Sequence, residues 1–429
     1  MKGGRPVKGS AAGWLQRDWW WPAVFLLALV VRAGYAPLSA SVDPFLRSAP
    51  LHGDAASYDL IARNLMAGEG FGTSPGVPGA FWPPLYPFFL AGLYSALGHS
   101  LLVARLVHAL LGAAAVGAVY AAARTVLGRP VARLAGLGMA LYPYLVYFGN
   151  WLISEALYLL LLGLALWAMA RQQRHSSRRG LVGLALLLGL GILAKPAALF
   201  MLPLVGFWAL LAPPDRPLPA RLGRASLVLL VTALVVLPWT VRNYRAFGAF
   251  VPVSTNGGYT FYGANNAQAF GGHHEGFPPP LPGLSEPAAE DEYYRRGLDW
   301  IAEHPADFAR LALRKLARLF SPLSVASWDT DYPLPPAVGC PVRALYGAFL
   351  ATAFGGALLA LRRWRAVFLF YIPMLSVLAS TVVFYGDTRY TLPMVPSLLI
   401  FAGFGVRSAG ERLRLRGVSD PLAAGGGDP

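Results

Sequence analysis

Apolar runs of about 15 to 24 residues recur from one end of the chain to the other, separated by short basic connectors, and no other feature constrains the fold as strongly. A helix needs about 20 such residues to cross roughly 30 Å of hydrocarbon. Only 13% of the 429 residues are charged and 56% are hydrophobic, whereas a soluble domain carries about 25% charged residues. The chain therefore reads as an all-α polytopic membrane protein, which excludes a soluble multidomain enzyme. The net charge of +15 would suggest nucleic acid in a soluble protein. Here the Arg and Lys residues cluster between apolar spans, which is the positive-inside pattern, and no nucleic-acid partner is expected. One cysteine, Cys340, excludes an internal disulfide.

The basic loops set a topology. The segment 1–18, with Lys2, Arg5, Lys8 and Arg17, is expected in the cytoplasm, and the first apolar run, 19–39, is read as a retained span rather than a cleaved leader because it is long and opens on Trp19, Trp20 and Trp21. Counting 82–98 as a juxtamembrane or re-entrant helix keeps every basic cluster inside. Spans are then expected at 100–123, 131–149, 152–170, 180–194, 196–212, 225–241, 342–361, 365–385 and 390–406, ten with the first. The domain reading is a transmembrane module over 19–241 that includes an outer loop at 40–99, a large outer loop at 242–341, closing helices at 342–409 and a disordered tail at 410–429. Within the large loop, 286–320 has helical spacing broken at Pro305, with Ser285 as its cap.

Under this topology the outer face holds few acids. Asp54 follows Gly53 at the start of a helical stretch, "GDAASYDLIARNLMAG", where it serves either as a functional carboxylate favoured by the helix dipole or as a plain helix cap. Glu155 lies at the mouth of an apolar span, where an ionisable group is costly and is by default a functional candidate. Arg32, Arg105, Lys195, Arg242, Arg245 and Arg389 face the same side and form a ring at headgroup depth suited to a phosphate; for any single one of them the plainer reading is interfacial snorkelling. Asp329 and Asp331 in "WDTDYP" have the spacing of a nucleotide-sugar metal site, but nucleotide sugars are cytoplasmic and this loop is not. His273, His274 and Glu275 lack metal-ligand spacing, and "GILAKPA" is no phosphate loop.

Four stretches, "GDAASYDLIARNLMAGEGF", "WPPLYPFFLAGLYSALGHSLLVARLVHALLG", "RNYRAFGAFVPVSTNGGYTFYGANN" and "DTRYTLPMVPSLLIFAG", together resemble the GT-C glycosyltransferases, in particular the bacterial relatives of protein O-mannosyltransferases and the aminoarabinose transferases, family 39-like. The resemblance implies a GT-C membrane core, a polyprenyl-phosphate sugar as donor, a lipid, glycan or protein acceptor, and a catalytic aspartate in the first outer loop, which falls on Asp54. A second acidic position matches Glu155. It further implies a donor phosphate held by Lys195, Arg242, Arg389 and Arg105, and a substrate pocket drawn from His52, Tyr58, Trp82, Tyr259, Asn265 and Tyr390. Relatives often carry an acidic pair at the first site and Glu-Lys before the prolines. Here Ala55 follows Asp54 and Phe81-Trp82 precede Pro83, so no metal ligand and no cofactor is assigned, and a divalent metal is left open.

The expected chemistry is an inverting sugar transfer at the extracytoplasmic face of the plasma membrane, with Asp54 as general base. A transporter or flippase of polyprenyl-linked lipids is the rival; it would place ionisable groups at mid-membrane and use broken-helix repeats, whereas here they gather at the two faces.

Overall fold

The computed structural model describes residues 18–42, 51–211, 216–273, 278–322 and 336–418. Asp329, Asp331, His274, Glu275 and the tail beyond residue 418 lie outside them. In chain order the helices are α1 (Trp20–Val42), α2 (Gly53–Met66), α3 (Leu85–Leu97), α4 (Leu101–Leu127), α5 (Arg129–Leu141), α6 (Pro143–Gly149), α7 (Glu155–Arg174), α8 (Arg178–Ala194), α9 (Leu202–Leu211), α10 (Leu218–Phe247), α11 (Asn256–Ala264), α12 (Glu286–Glu303), α13 (Pro305–Leu319), α14 (Pro336–Ala360), α15 (Trp364–Val383) and α16 (Val395–Val418). Among the described residues there is no strand.

By length and hydropathy, Trp20–Ser39, Leu101–Leu127, Glu155–Arg174, Leu218–Phe247 and Gly339–Val383 can each cross a membrane; the last contains both α14 and α15. The protein is a multi-pass membrane protein. The expected span 131–149 is two helices, α5 and α6, bent by 50°. Pro143 disfavours helical geometry at Tyr142, which is extended at ψ 116°. Arg32 satisfies the carbonyls this break exposes, donating to Met139 and Ala140 O at 3.0 Å each. It is thus a helix-end clamp and not an outward-facing cation. The segment 82–98 holds only the 13 residues of α3, too few to span. The 30 residues of α10 rise about 45 Å, so its last turns, with Arg242 and Asn243, project past the hydrocarbon. Finally, α16 continues to Val418 rather than ending near 409, helped by an Arg407–Glu411 pair one turn apart.

Small residues let the helices approach. A Cβ on Gly163 of α7 would lie 3.2 Å from Ala115 O of α4, and one on Gly356 of α14 would lie 1.9 Å from Phe401 O of α16. The two ends of the bundle differ. At one end Asp18 takes Tyr120 at 2.8 Å and Arg124 at 3.2 Å, Arg407 donates to Leu127 O at 3.0 Å, and Arg174 and Arg224 bond Thr125 O and Ser176. These contacts gather the basic turns into one layer. At the other end α2 and α3, and then α11, α12 and α13, form a cap. Its helix α13 buries Leu311, Lys315 and Leu319 along one face and packs on α15. The Lys315 ammonium donates to Asn265 Oδ1 at 2.8 Å and Val382 O at 3.1 Å.

Candidate active site

Four of the expected site residues converge at the capped end, each at the terminus of an element. Asp54 is in the first turn of α2 and Glu155 opens α7, positions where the helix dipole favours a carboxylate. Lys195 follows the last residue of α8, where the dipole favours a cation, and Arg389 sits in a single 3-10 turn, Thr388–Thr391, ahead of α16. Arg389 Nη2 meets Asp54 Oδ2 at 2.7 Å and its Nε meets Glu155 Oε1 at 2.6 Å, while Lys195 Nζ meets the same Oε1 at 2.8 Å.

This cluster of two carboxylates and two cations is formally neutral. The Glu155 side chain is 2% exposed and that of Asp54 is 31% exposed. Glu155 is therefore the buried anchor, and Asp54 is the oxygen that a substrate can reach. Asp54 is also not the helix cap, since that position belongs to His52, whose side chain makes no capping bond. Burial works against the Arg389 charge, but Glu155 and Asp54 more than offset it and hold the guanidinium's pKa well above its ordinary value. The second oxygen of Glu155 has no hydrogen-bond partner among the described residues, and Glu155 borders a cavity of about 10 Å³, room for about one water.

Aromatic rings wall the cluster. Tyr390 lies beside Arg389, with the Lys195 ammonium 5.9 Å from its ring centre. Tyr58, one helical turn after Asp54, is buried and packs edge-on against Tyr86 at 4.9 Å and against Trp82 at 5.2 Å. Tyr86 OH in turn is 2.9 Å from His108 Nε2. The Tyr86–His108 pair is a part of the wall that sequence reasoning missed; a polar histidine inside the apolar run 100–123 was the available signal.

Other expected members lie elsewhere. Arg242 donates to Gly79 O at 2.7 Å and Phe71 O at 3.1 Å, and its guanidinium lies 4.8 Å from the Trp239 ring centre. It staples the first outer loop to α10 and does not join the carboxylates. Asn265 is buried, donating to Phe261 O and Val383 O and accepting from Lys315, so it locks the cap to α15. Arg105 is buried on α4, where its charge acts on His108. His52 is exposed, and Tyr259 belongs to a separate cavity beside Phe81. Asp387 is buried against the Arg318 side chain at 3.5 Å and the His273 backbone N–H at 3.3 Å.

A divalent ion does not fit this arrangement. Among the described residues no three His, Cys, Asp or Glu side chains converge, and the two carboxylates that do approach each other are bridged by a guanidinium.

Residues 82–241 match the family model described as dolichyl-phosphate-mannose-protein mannosyltransferase. No curated protein matches the chain in sequence. Among solved structures it is similar to the oligosaccharyltransferase AglB from Archaeoglobus fulgidus, in complex with an inhibitory peptide and a dolichol-phosphate, with a TM-score of 0.58 at 15% identity over 97% of this chain and 53% of AglB. It is also similar to ArnT from Cupriavidus metallidurans bound to undecaprenyl phosphate, with a TM-score of 0.53 at 18% identity over 95% of this chain and 64% of ArnT. The chain thus spans about half the length of AglB and under two thirds of ArnT. Its helical membrane core, over nearly its whole length, has the fold of the GT-C glycosyltransferases.

Proposed function

We propose that the protein transfers a sugar from a polyprenyl-phosphate donor to an acceptor hydroxyl, at the extracytoplasmic face of the plasma membrane and with inversion at the anomeric carbon. The observation that carries this reading is the bridge from Arg389 to both Asp54 and Glu155, with Lys195 on the same Glu155 oxygen. Lipid phosphates bound to AglB and ArnT, which share the fold, support the donor class.

In the mechanism, the donor phosphate competes with the carboxylates for Arg389 and Lys195. As the guanidinium turns toward the phosphate it releases Asp54, which then takes the proton of the acceptor hydroxyl. The hydroxyl oxygen bonds to the anomeric carbon, the bond from that carbon to the phosphate oxygen breaks, and the electron pair leaves on the phosphate. Charge developing there is stabilised by cations already in place, commonly the largest catalytic contribution. Because Glu155 is buried and holds both cations, its role is to position them; Asp54, being accessible, is the base. A carboxylate is a weak base at neutral pH, so orienting the acceptor contributes much of the rate.

The test is Asp54→Asn, assayed with purified protein and candidate polyprenyl-phosphate sugars for released lipid phosphate. Turnover is expected to fall by roughly 10²- to 10⁴-fold, the usual worth of a general base, with thermal stability little changed. Near-wild-type turnover in this variant would remove Asp54 from the mechanism.

A further inference from the structure

A second concavity lies beside the charged cluster and takes no part in the chemistry above. It is a cavity of about 340 Å³ between the first loop, α11 and α12, whose walls include Phe81, Tyr259, Pro280, Glu286, Glu290 and Tyr293. The three rings present flat surfaces at steep angles: Phe81 and Tyr259 are 5.8 Å apart at 71°, and Tyr259 and Tyr293 are 5.7 Å apart at 89°. The walls are fixed. Tyr293 OH donates to Pro279 O at 2.7 Å, and α11 fits against α12 because Gly258 has no side chain, a Cβ there lying 2.1 Å from Glu290 O.

The titratable side chains lining this cavity are acidic among the described residues, apart from the phenols of Tyr259 and Tyr293. Glu286 and Glu290 are four residues apart on α12 and so share a face, where like charges repel. Among the described residues no Lys, Arg or His lines it. The Glu286 carboxylate accepts from the Ala80 N–H at 2.7 Å and the Thr255 hydroxyl at 3.0 Å, both neutral donors. The Glu290 carboxyl is bonded by the backbone N–H groups of Gly257 and Gly258. Arg242 on α10 offsets part of the Glu286 charge from outside the lining, while its N–H groups bond the carbonyls of Gly79 and Phe71.

Two carboxyl groups set among aromatic faces recognise a cation, Glu290 ionising as the cation enters, through ion pairing and through the negative ring faces. The volume, within the roughly 300–1,000 Å³ of small-molecule sites, exceeds what an alkylammonium tail needs and suits a ring whose C–H face stacks on the aromatics. The cavity also flanks the reacting centre, since Phe81 contacts Trp82 at 5.1 Å and Trp82 contacts Tyr58 at 5.2 Å. We propose that this cavity is an acceptor subsite that binds a sugar ring carrying a protonated amine. As an acceptor site the proposal rests on the transferase reading; as a binding site it stands alone.

Calorimetry on the full chain in lipid nanodiscs, with D-glucosamine, D-glucose, N-acetyl-D-glucosamine and Nα-acetyl-lysine amide as probes and no donor present, tests it. Glucosamine is expected to bind about tenfold more tightly than the other three, as a desolvated cation over aromatic rings allows. Glu290→Gln and Tyr259→Leu should each remove most of that preference. Equal binding of glucose overturns the role of charge, equal or tighter binding of the lysine amide overturns the sugar ring, and a preference that survives both substitutions, or no binding of any probe, overturns the site. Because no transfer is measured, a failure of Asp54→Asn to slow turnover would refute the mechanism while leaving this result standing.

Discussion

Arg389 serves two carboxylates of unequal burial, and its replacement separates their roles. Arg389→Ala leaves Glu155 buried with Lys195 alone, and stripping one partner from a buried ionic cluster costs about 3–5 kcal/mol. A clearly lowered melting temperature and lost turnover are the expected outcome, read by thermal unfolding in detergent and by lipid-phosphate release. Arg389→Lys restores the charge, but a single ammonium cannot span Asp54 and Glu155 as the fork of a guanidinium does. Stability should therefore recover more than turnover, and equal recovery of the two would contradict the bridging role. At this scale the sequence made Glu155, Lys195 and Arg389 visible because each charge stands at the end of an apolar run, where its cost asks for a reason, and marked Asp54 by its place at the start of a helical stretch and by the family resemblance. The same logic misplaced Arg242 and Arg32, and the expected pocket misplaced Asn265. Their partners are backbone carbonyls of Gly79, Phe71, Phe261, Val383, Met139 and Ala140, and a carbonyl leaves no trace in residue type.

Among the elements, the cap helices carry a pH signature. Burial raises the Glu290 pKa from 4.5 to about 7, the nearby acids Asp291 and Glu286 adding to it and the Gly257 and Gly258 N–H groups opposing it. Below pH 4.5 the group is protonated in both folded and unfolded chains; as pH climbs through 7 the unfolded chain has released the proton that the folded one retained, and stability falls. Glu290→Gln should thus melt higher than the parent at pH 8 and match it at pH 4.5, and identical shifts at both pH values would rule out ionisation as the cause. A second test concerns how the cap is seated. Gly386→Ala would bring a Cβ within 1.8 Å of Lys315 O, and with the Gly386 N–H to Gly271 O bond at 2.9 Å also at risk, α13 should part from the end of α15. Faster limited proteolysis within 264–320, with the rest of the chain protected, is the expected readout. The Pro305 break and the Ser285 start of the cap helices were legible from local chemistry, as was α3. The α5–α6 bend was not, although the Tyr142-Pro143 step in "LYPYL" marks it. The aromatic cavity escaped notice because Phe81, Tyr259 and Tyr293 come from three separated segments, and only the Glu286–Glu290 spacing on one helix face hinted at it.

For the molecule as a whole, the basic layer around Asp18, Arg124, Arg174 and Arg407 and the carboxylate cluster occupy opposite ends of the bundle. The excess of Arg in the first layer predicts that it faces the cytoplasm. With Cys340, which is exposed, replaced by serine, Ser74→Cys in the first loop should react with a membrane-impermeant maleimide on intact cells, whereas His175→Cys should react only after lysis. The reverse pattern would place the chemistry on the wrong side for a polyprenyl-linked donor. Arg389 and Glu155 are 234 positions apart in the chain, and this separation has a consequence for biogenesis. During synthesis Glu155 enters the bilayer long before its guanidinium partner exists, with only Lys195 arriving soon after to offset it. Ribosome-bound or truncated chains ending ahead of residue 389 therefore hold Asp54 and Glu155 against Lys195 alone, one cation short of the neutral cluster.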